Sequence, residues 1–384
     1  MQGTDFQEDP ANLGIDPGRL QALLNRAKQE VEEGLLPSCQ IAIARNGKLV
    51  AFETFGNATN DSLYCIFSST KGITSAAAWL LIQDGSLDVT RKVTEVIPEF
   101  ADNGKQDVTI EQLFTHTSGF PHAPFRPTDW NDTQRRLERY SKWRLNWEPG
   151  SRFEYHPTSS MWVIAEIIER LAGQSFSSFV RERISMPLNL PDLWVGCPEG
   201  QHHRITEIMH VGDALTSEDY AKLGVPEPPV TEVTEDALTA FNTADIRLVG
   251  VPGGGGIMSA AEIALFYQGL FGNTHTSEKL WSQETLNTVL QVRTGSLVDQ
   301  LTDIPVNRAL GVSISGDENR NFRGFGHLNS PLAFGHAGAG GQIGWMDPQT
   351  GISLGYCTNG HDRNRIRQGR RGVSLSNRAA QCAS

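Results

Sequence analysis

One stretch limits what this chain can become. Ile73 to Gln83 carries Ala76, Ala77, Ala78, Trp79, Leu80, Leu81 and Ile82 in nearly unbroken apolar sequence. Such a run reads as a buried helix, with Gly85 as its stop signal. Directly before it stands Ile66-Phe67-Ser68-Ser69-Thr70-Lys71-Gly72. A helix that starts at Ser68 puts Ser68 and Lys71 on one face, one turn apart. Lys71 is the only lysine of the chain with a serine three residues before it.

The pairing has a chemical rationale. A serine hydroxyl is a poor nucleophile at neutral pH and needs a base within hydrogen-bond reach. Lys71 is such a base if burial and nearby positive charge keep it partly neutral. A helix start also offers free backbone N–H groups to a developing oxyanion. The plainer reading is a serine N-cap followed by an exposed lysine, and only the rest of the chain separates the two.

A chain of 384 residues has room for a large core and two lobes. A formal net charge of −11 excludes the basic face that a nucleic-acid partner calls for, and gives no reason to expect an anionic membrane surface. No apolar run reaches transmembrane length. Met1 to Asn12 is polar and acidic and lacks the pattern of a secretory signal. Cys39, Cys65, Cys197, Cys357 and Cys382 are scattered and odd in number, which fits buried thiols in a reducing compartment. A cytoplasmic location is therefore expected. The oligomeric state is not legible.

Pro17 to Glu33 has helical apolar spacing, with Asp16 as N-cap, Pro17 at the first position and Gly34 at the end. Cys39–Ala44 and Leu49–Phe55 read as strands joined by the hairpin signal Asn46-Gly47. From Leu87 to about Val225 short helices alternate with loops: Thr109–Phe114, Met161–Leu171 and Phe176–Ile184 are the helical candidates. A loop-rich stretch, Pro226 to Asn242, precedes Gly253-Gly254-Gly255-Gly256 and a helix from Ala260 to Phe271. Strand pattern returns at Leu310–Ser315, Phe334–His336, Gln342–Met346 and Gly351–Thr358, and an Arg-rich helix, about Asp362 to Cys382, closes the chain. The expected fold is α+β: one antiparallel sheet built from both chain ends, flanked by helices. Residues 1–86 and 243–384 would form that sheet-containing domain, and 87–242 a mainly helical inserted one.

Two further places have the residue types for chemistry. Tyr155 precedes the Met161 helix and is either a proton shuttle beside a lysine or a ring packed at a helix entrance. Phe334-Gly335-His336-Ala337-Gly338-Ala339-Gly340-Gly341-Gln342 is Gly-rich for a strand. It marks either a close approach by a ligand, with backbone N–H groups free for an oxyanion, or a bulge. His336 is placed to bond a substrate or tune Tyr155. His202, His203, Glu207 and His210 lack metal-ligand spacing, and Gly253–Gly256 lacks the Lys-Ser/Thr of a phosphate loop, so a tight chain passage beside the site is expected there. His116 reads as a hydrogen-bonded structural residue.

In this order the motifs resemble the serine β-lactamase and penicillin-binding-protein superfamily, and most closely its class C-like esterase (family VIII) and transesterase branch. Ser68-Ser69-Thr70-Lys71 matches Ser-x-x-Lys, Tyr155 the tyrosine of Tyr-x-Asn, and His336-Ala337-Gly338 the Lys-Thr-Gly position. Supporting segments are Leu113 to Gly119, Pro149-Gly150, Pro187-Leu188, Asp347-Pro348 and Thr358-Asn359-Gly360. Pro157 replaces the family asparagine, His336 replaces the lysine, and no class A-like glutamate is assignable. The resemblance implies a serine hydrolase acting on carboxylic esters through an acyl-enzyme on Ser68, with Lys71 and Tyr155 as proton carriers. It further implies an oxyanion hole from the N–H groups of Ser68 and Ala339, substrate contacts from His336, Ala337 and Gly338, and neither metal nor organic cofactor. The alternatives are a β-lactamase or D-amino-acid peptidase, an acyltransferase, and a non-catalytic ligand-binding relative. Phe125, Trp130, Trp143, Trp147 and Phe241 are expected to line an apolar pocket for a small-molecule ester.

Overall fold

Asp16 begins the first helix, α1 (Pro17–Glu32), by accepting the Arg19 N–H at 2.9 Å, with Pro17 at the position that needs no donor. Strands β1 (Ser38–Arg45) and β2 (Lys48–Gly56) pair antiparallel around Asn46 and Gly47. Both turn residues have positive φ, 52° and 74°. That is the two-residue turn whose twist matches a hairpin, and Asn-Gly is its best sequence. The computed structural model describes residues 7–228, 233–273 and 279–383. Part of the acidic N-terminal segment and part of the Pro226–Asn242 loop thus lie outside the described residues.

A 3-10 turn, Phe67–Ser69, leads into α2 (Thr70–Gln83). Every residue of α2 from Thr70 to Leu81 is buried, as its continuous apolar run demands. The helices that follow include α3 (Ile110–Phe114), with a Thr109–Gln112 capping box, and α4 (Ser159–Ala172), ended by left-handed Gly173. The expected helix at Phe176–Ile184 is helical to Val180 and widens into a π-turn at Arg181–Ser185. Then come α5 (Ala260–Leu270), β3 (Ser313–Ile314), β4 (Phe334–Gly335), β5 (Ile343–Asp347), β6 (Ile352–Thr358) and α6 (Arg365–Ala380).

The main sheet has the order β2-β1-β6-β5-β4-β3, with every pairing antiparallel. It joins the two ends of the chain, with Cys39 opposite Thr358. Alternation along β1 sorts its side chains. Ile41 and Ile43 pack with α1 and α6, while Ala42 and Ala44 belong to the larger cluster that also holds α2, α4 and α5. Small residues on that second face let α5 lie close: a Cβ at Gly355 would stand 2.1 Å from the Ala260 carbonyl oxygen. The Leu310–Ser315 strand is shorter than expected because its first residues serve α2 instead. The Leu310 carbonyl accepts the Trp79 indole N–H at 3.1 Å, and Gly311 (φ 85°) approaches Ser75 where no side chain fits.

On the outer face Arg371, 1% exposed, reaches Glu30 at 3.0 Å and Asp362 at 2.8 Å, both buried. It ties α6 to α1 and to the chain after β6. Arg371→Met leaves two buried carboxylates short of a cation, and stability should fall by about 3 kcal/mol, measured by urea denaturation.

Candidate active site

The turn Phe67–Ser69 is held from three sides. Thr70 Oγ1 donates to the Phe67 carbonyl at 2.6 Å and accepts the Gly256 N–H at 2.8 Å. Ile66 N–H donates to the Gly256 carbonyl at 2.9 Å. Ser69 Oγ donates to the His336 carbonyl at 2.8 Å. Phe67 takes φ +44°, a conformation unfavourable for a bulky side chain and sustained by these contacts. Ser68 is left half-buried and facing the site.

Lys71, in the first turn of α2, is fully buried. Its Nζ lies 3.2 Å from Ser68 Oγ and donates to the carbonyls of Pro157 and Gly253, each at 2.7 Å. Those carbonyls come from the loop before α4 and from the glycine run before α5. The run is a tight passage: a Cβ at Gly253 would press on the Pro157 carbonyl at 3.0 Å, and one at Gly255 would meet Val251 N at 2.4 Å. Burial lowers the pKa of Lys71 from its ordinary value; Tyr155 opposes this, and the Arg308 charge adds to it. The neutral amine is thereby favoured. With two N–H groups spent on carbonyls, its lone pair is free for the Ser68 hydroxyl proton.

Tyr155 comes from the same loop as Pro157. Its ring centroid is 5.0 Å from Lys71 Nζ, and both Lys71 and Ser68 act on its hydroxyl to lower the phenol pKa. Burial pushes the phenol pKa up, while Lys71 in its charged form, then Arg308, and hydrogen bonding to Lys71 and Ser68 pull it down, and the net direction is below the ordinary value. His156 anchors the loop. Its Nδ1–H donates to the Glu154 carbonyl at 2.6 Å, and its Nε2 accepts from Phe120 N–H at 3.2 Å and pairs with Ser118 Oγ at 3.0 Å. Burial lowers His156 to about 3, so it stays neutral.

The Gly-rich segment lies against the serine. A Cβ at Gly338 would stand 2.3 Å from the Ile66 carbonyl oxygen, so only glycine fits. Ala339 follows and opens a turn, Ala339–Gly341, closed by Gly338 N–H donating to the Gln342 carbonyl at 2.9 Å. His336, at the end of β4, donates its Nδ1–H to the Ala337 carbonyl at 2.7 Å, and its buried Nε2 has no partner among the described residues. Its ring is 6.1 Å from that of Tyr155. Burial holds it well below the ordinary histidine pKa, so it carries no charge.

Two neighbours of Tyr155 were not singled out by the motifs. His116 does accept a backbone hydrogen bond, from His156 N–H at 3.2 Å, but its ring also packs 4.7 Å from that of Tyr155. Arg308 places its guanidinium 5.5 Å from the same ring, and no motif marks it. The expected aromatic lining is corrected. Phe125, Trp130 and Trp143 pack with Trp162 and Tyr140 inside the helical segment, and Trp147 bonds Glu154. Phe241 alone of the five meets the serine turn, 5.2 Å from Phe67 ring to ring. Among the described residues, no cluster of three or more His, Cys, Asp or Glu side chains could hold a metal ion.

A sheet shared by both chain ends, with a serine, a buried amine and a phenol converging beside it, defines the fold class of the β-lactamases and transpeptidases. The beta-lactamase family model matches residues 23–376, and the chain belongs to that family as a serine hydrolase. It is 24% identical over 320 residues to the esterase/beta-lactamase LipL of Mycobacterium tuberculosis, covering 78% of this chain and 70% of that one. It is 26% identical over 385 aligned positions to a putative D-alanyl-D-alanine carboxypeptidase of Escherichia coli K12, covering 92% and 85%. A solved family VIII carboxylesterase superposes with a TM-score of 0.77 at 23% identity, over 95% of this chain and 99% of that one. That likeness speaks for the fold.

Gly338→Ala cannot keep the segment against Ile66. Hydrolase turnover should drop by at least ~10²-fold, the scale on which losing one preorganised backbone donor acts, with the far-ultraviolet circular dichroism of the folded enzyme retained.

Proposed function

We propose that the chain hydrolyses carboxylic esters of small molecules through an acyl-enzyme on Ser68. The single observation that carries this reading is the fully buried Lys71 amine, its donors engaged by Pro157 and Gly253, set 3.2 Å from Ser68 Oγ. Ser68 Oγ attacks the ester carbonyl and forms the C–O bond. Its proton passes to Lys71 and Tyr155, which deliver it to the departing alkoxide as the ester C–O bond breaks. The N–H groups of Ser68 and Ala339 stabilise the oxyanion. Water then attacks the acyl carbonyl with Tyr155 as base, and the acid leaves. An alcohol in place of water turns the same cycle into acyl transfer.

Esters are favoured over lactams and peptides by two features. Pro157 gives the site a main-chain carbonyl, already used by Lys71, where a side-chain amide would contact an amide substrate. His336 is neutral and bonded to Ala337, so it offers no cation to a substrate carboxylate. The relative LipL, named an esterase/beta-lactamase, is compatible with esters and with lactams alike. The carboxypeptidase-named relative supports the peptidase reading instead, and a D-alanyl-D-alanine peptide and nitrocefin belong in the same assay.

Ser68→Ala should abolish turnover of a short-chain p-nitrophenyl ester and the acyl adduct seen by intact-mass spectrometry. Wild-type turnover in that variant would remove Ser68 from the mechanism. Lys71→Ala and Tyr155→Phe should each cost at least ~10²-fold. Because both bases act when deprotonated, kcat/KM should rise with pH through their lowered pKa values and fall on the acid side.

A further inference from the structure

Arg308 is held rigidly at its main chain. Its N–H donates to Thr294 Oγ1 at 3.1 Å, its carbonyl accepts the Arg293 N–H at 2.7 Å, and it bridges to Ser313 beside β3. This aims the side chain at Tyr155, with the guanidinium carbon 5.5 Å from the ring centroid. Its Nη1 is sealed from solvent and has no hydrogen-bond partner among the described residues. No described carboxylate forms an ion pair with it. Asp299 acts on it at a distance, and that carboxylate is occupied by the N–H groups of Leu301 and Thr302.

Arg308 is half-buried, and a sealed guanidinium nitrogen left without a partner among the described residues is costly, because arginine cannot escape by losing its proton. The groups that face Tyr155 are Lys71 and Ser68 from the start of α2, His116 from the segment after α3, His336 from the end of β4, and Arg308 itself. Both histidines are neutral. Within this cluster the Tyr155 oxygen is the group suited to negative charge. Lys71 cannot be its permanent counter-ion, because a lysine that takes the Ser68 proton must first be neutral. A second cation of fixed charge removes that conflict.

We propose that Arg308 is a positioning residue for the reaction. Its permanent charge, laid against the ring of Tyr155 and paired with no described carboxylate, holds that ring in place and stabilises its phenolate while Lys71 is neutral. The inference rests on the reading of Tyr155 as a base. Attraction between a guanidinium and an aromatic ring strengthens when the ring carries negative charge, and the partly buried setting screens it less than open water does.

The test has a readout apart from activity. The near-ultraviolet tyrosinate absorbance of the full-length enzyme is titrated with Tyr155→Phe as the blank, in wild type, Arg308→Gln and Arg308→Lys. The Gln variant should move the Tyr155 midpoint upward by about one pH unit or more, and Lys should restore part of it. The rising limb of kcat/KM should move to higher pH in the same order. An unmoved Tyr155 midpoint in a folded Arg308→Gln enzyme overturns the proposal, whatever its rate. Should the Gln variant fail to fold, the same midpoint is read in Arg308→Met and decides in the same way. A Tyr155→Phe enzyme with wild-type kcat/KM instead sinks the base assignment, and Arg308's part in the reaction with it.

Discussion

The amine of Lys71 is the point on which the remote parts of the chain depend. Burying an ammonium without a carboxylate is strongly unfavourable, and the protein meets it with main-chain carbonyls and a lowered pKa. The carbonyls belong to Pro157 and Gly253, which lie 86 and 182 residues away. One side chain therefore fixes the distance between the loop that carries Tyr155 and the glycine run that opens the way to α5. The same two contacts leave the nitrogen one direction still open, and that direction is Ser68.

Glycines set how near the other segments come. Gly338 lies on the Ile66 carbonyl, Gly256 on Thr70, and Gly355 on the start of α5. At each place a methyl group would collide with main chain or with a packed side chain. The run Gly253–Gly256 thus works as a spacer of zero thickness, which is why it has the composition of a phosphate loop without the lysine that would make it one. Phe67 shows the complementary device. A bulky residue in a left-handed conformation is kept there because Thr70, Gly256 and His336 hold the residues on either side of it.

Much of this was legible in the sequence, and the reasons are local. Asp16-Pro17, Asn46-Gly47 and Thr109 with Gln112 carry their capping and turn chemistry within a few residues, so α1, the β1–β2 hairpin and α3 stand where expected. Ser68, Lys71 and Tyr155 were reachable because their spacing and setting carry motif information. What failed was non-local. The Leu310 strand gave up its first residues to Trp79 and Ser75, partners more than 200 positions earlier. The aromatic residues Phe125, Trp130 and Trp143 looked like pocket lining by composition, yet the first two pack on Trp162 and the third on Tyr140 in the core. Apolar character does not distinguish a pocket wall from a packed interior. Arg308 was invisible for the same reason: nothing around Val306-Asn307-Arg308-Ala309 reports that a tyrosine from another segment will sit beside it.

The histidine on β4 shows how charge can be moved within a fixed architecture. His336 turns Nδ1 back to its own Ala337 carbonyl and stays neutral, so the strand that lines the site contributes shape and main-chain groups rather than a cation. The fixed positive charge nearest Tyr155 enters instead from the segment before β3, on Arg308. A cation on the strand would face the incoming substrate. A cation against the tyrosine ring, with one nitrogen sealed from solvent, acts on the phenol. The distinction matters for selectivity, because the first arrangement rewards substrates that bring their own anion and the second is indifferent to it. An electrostatic design turned inward toward the proposed base is compatible with neutral esters, and Phe241 packed on Phe67 adds an apolar wall beside the serine turn.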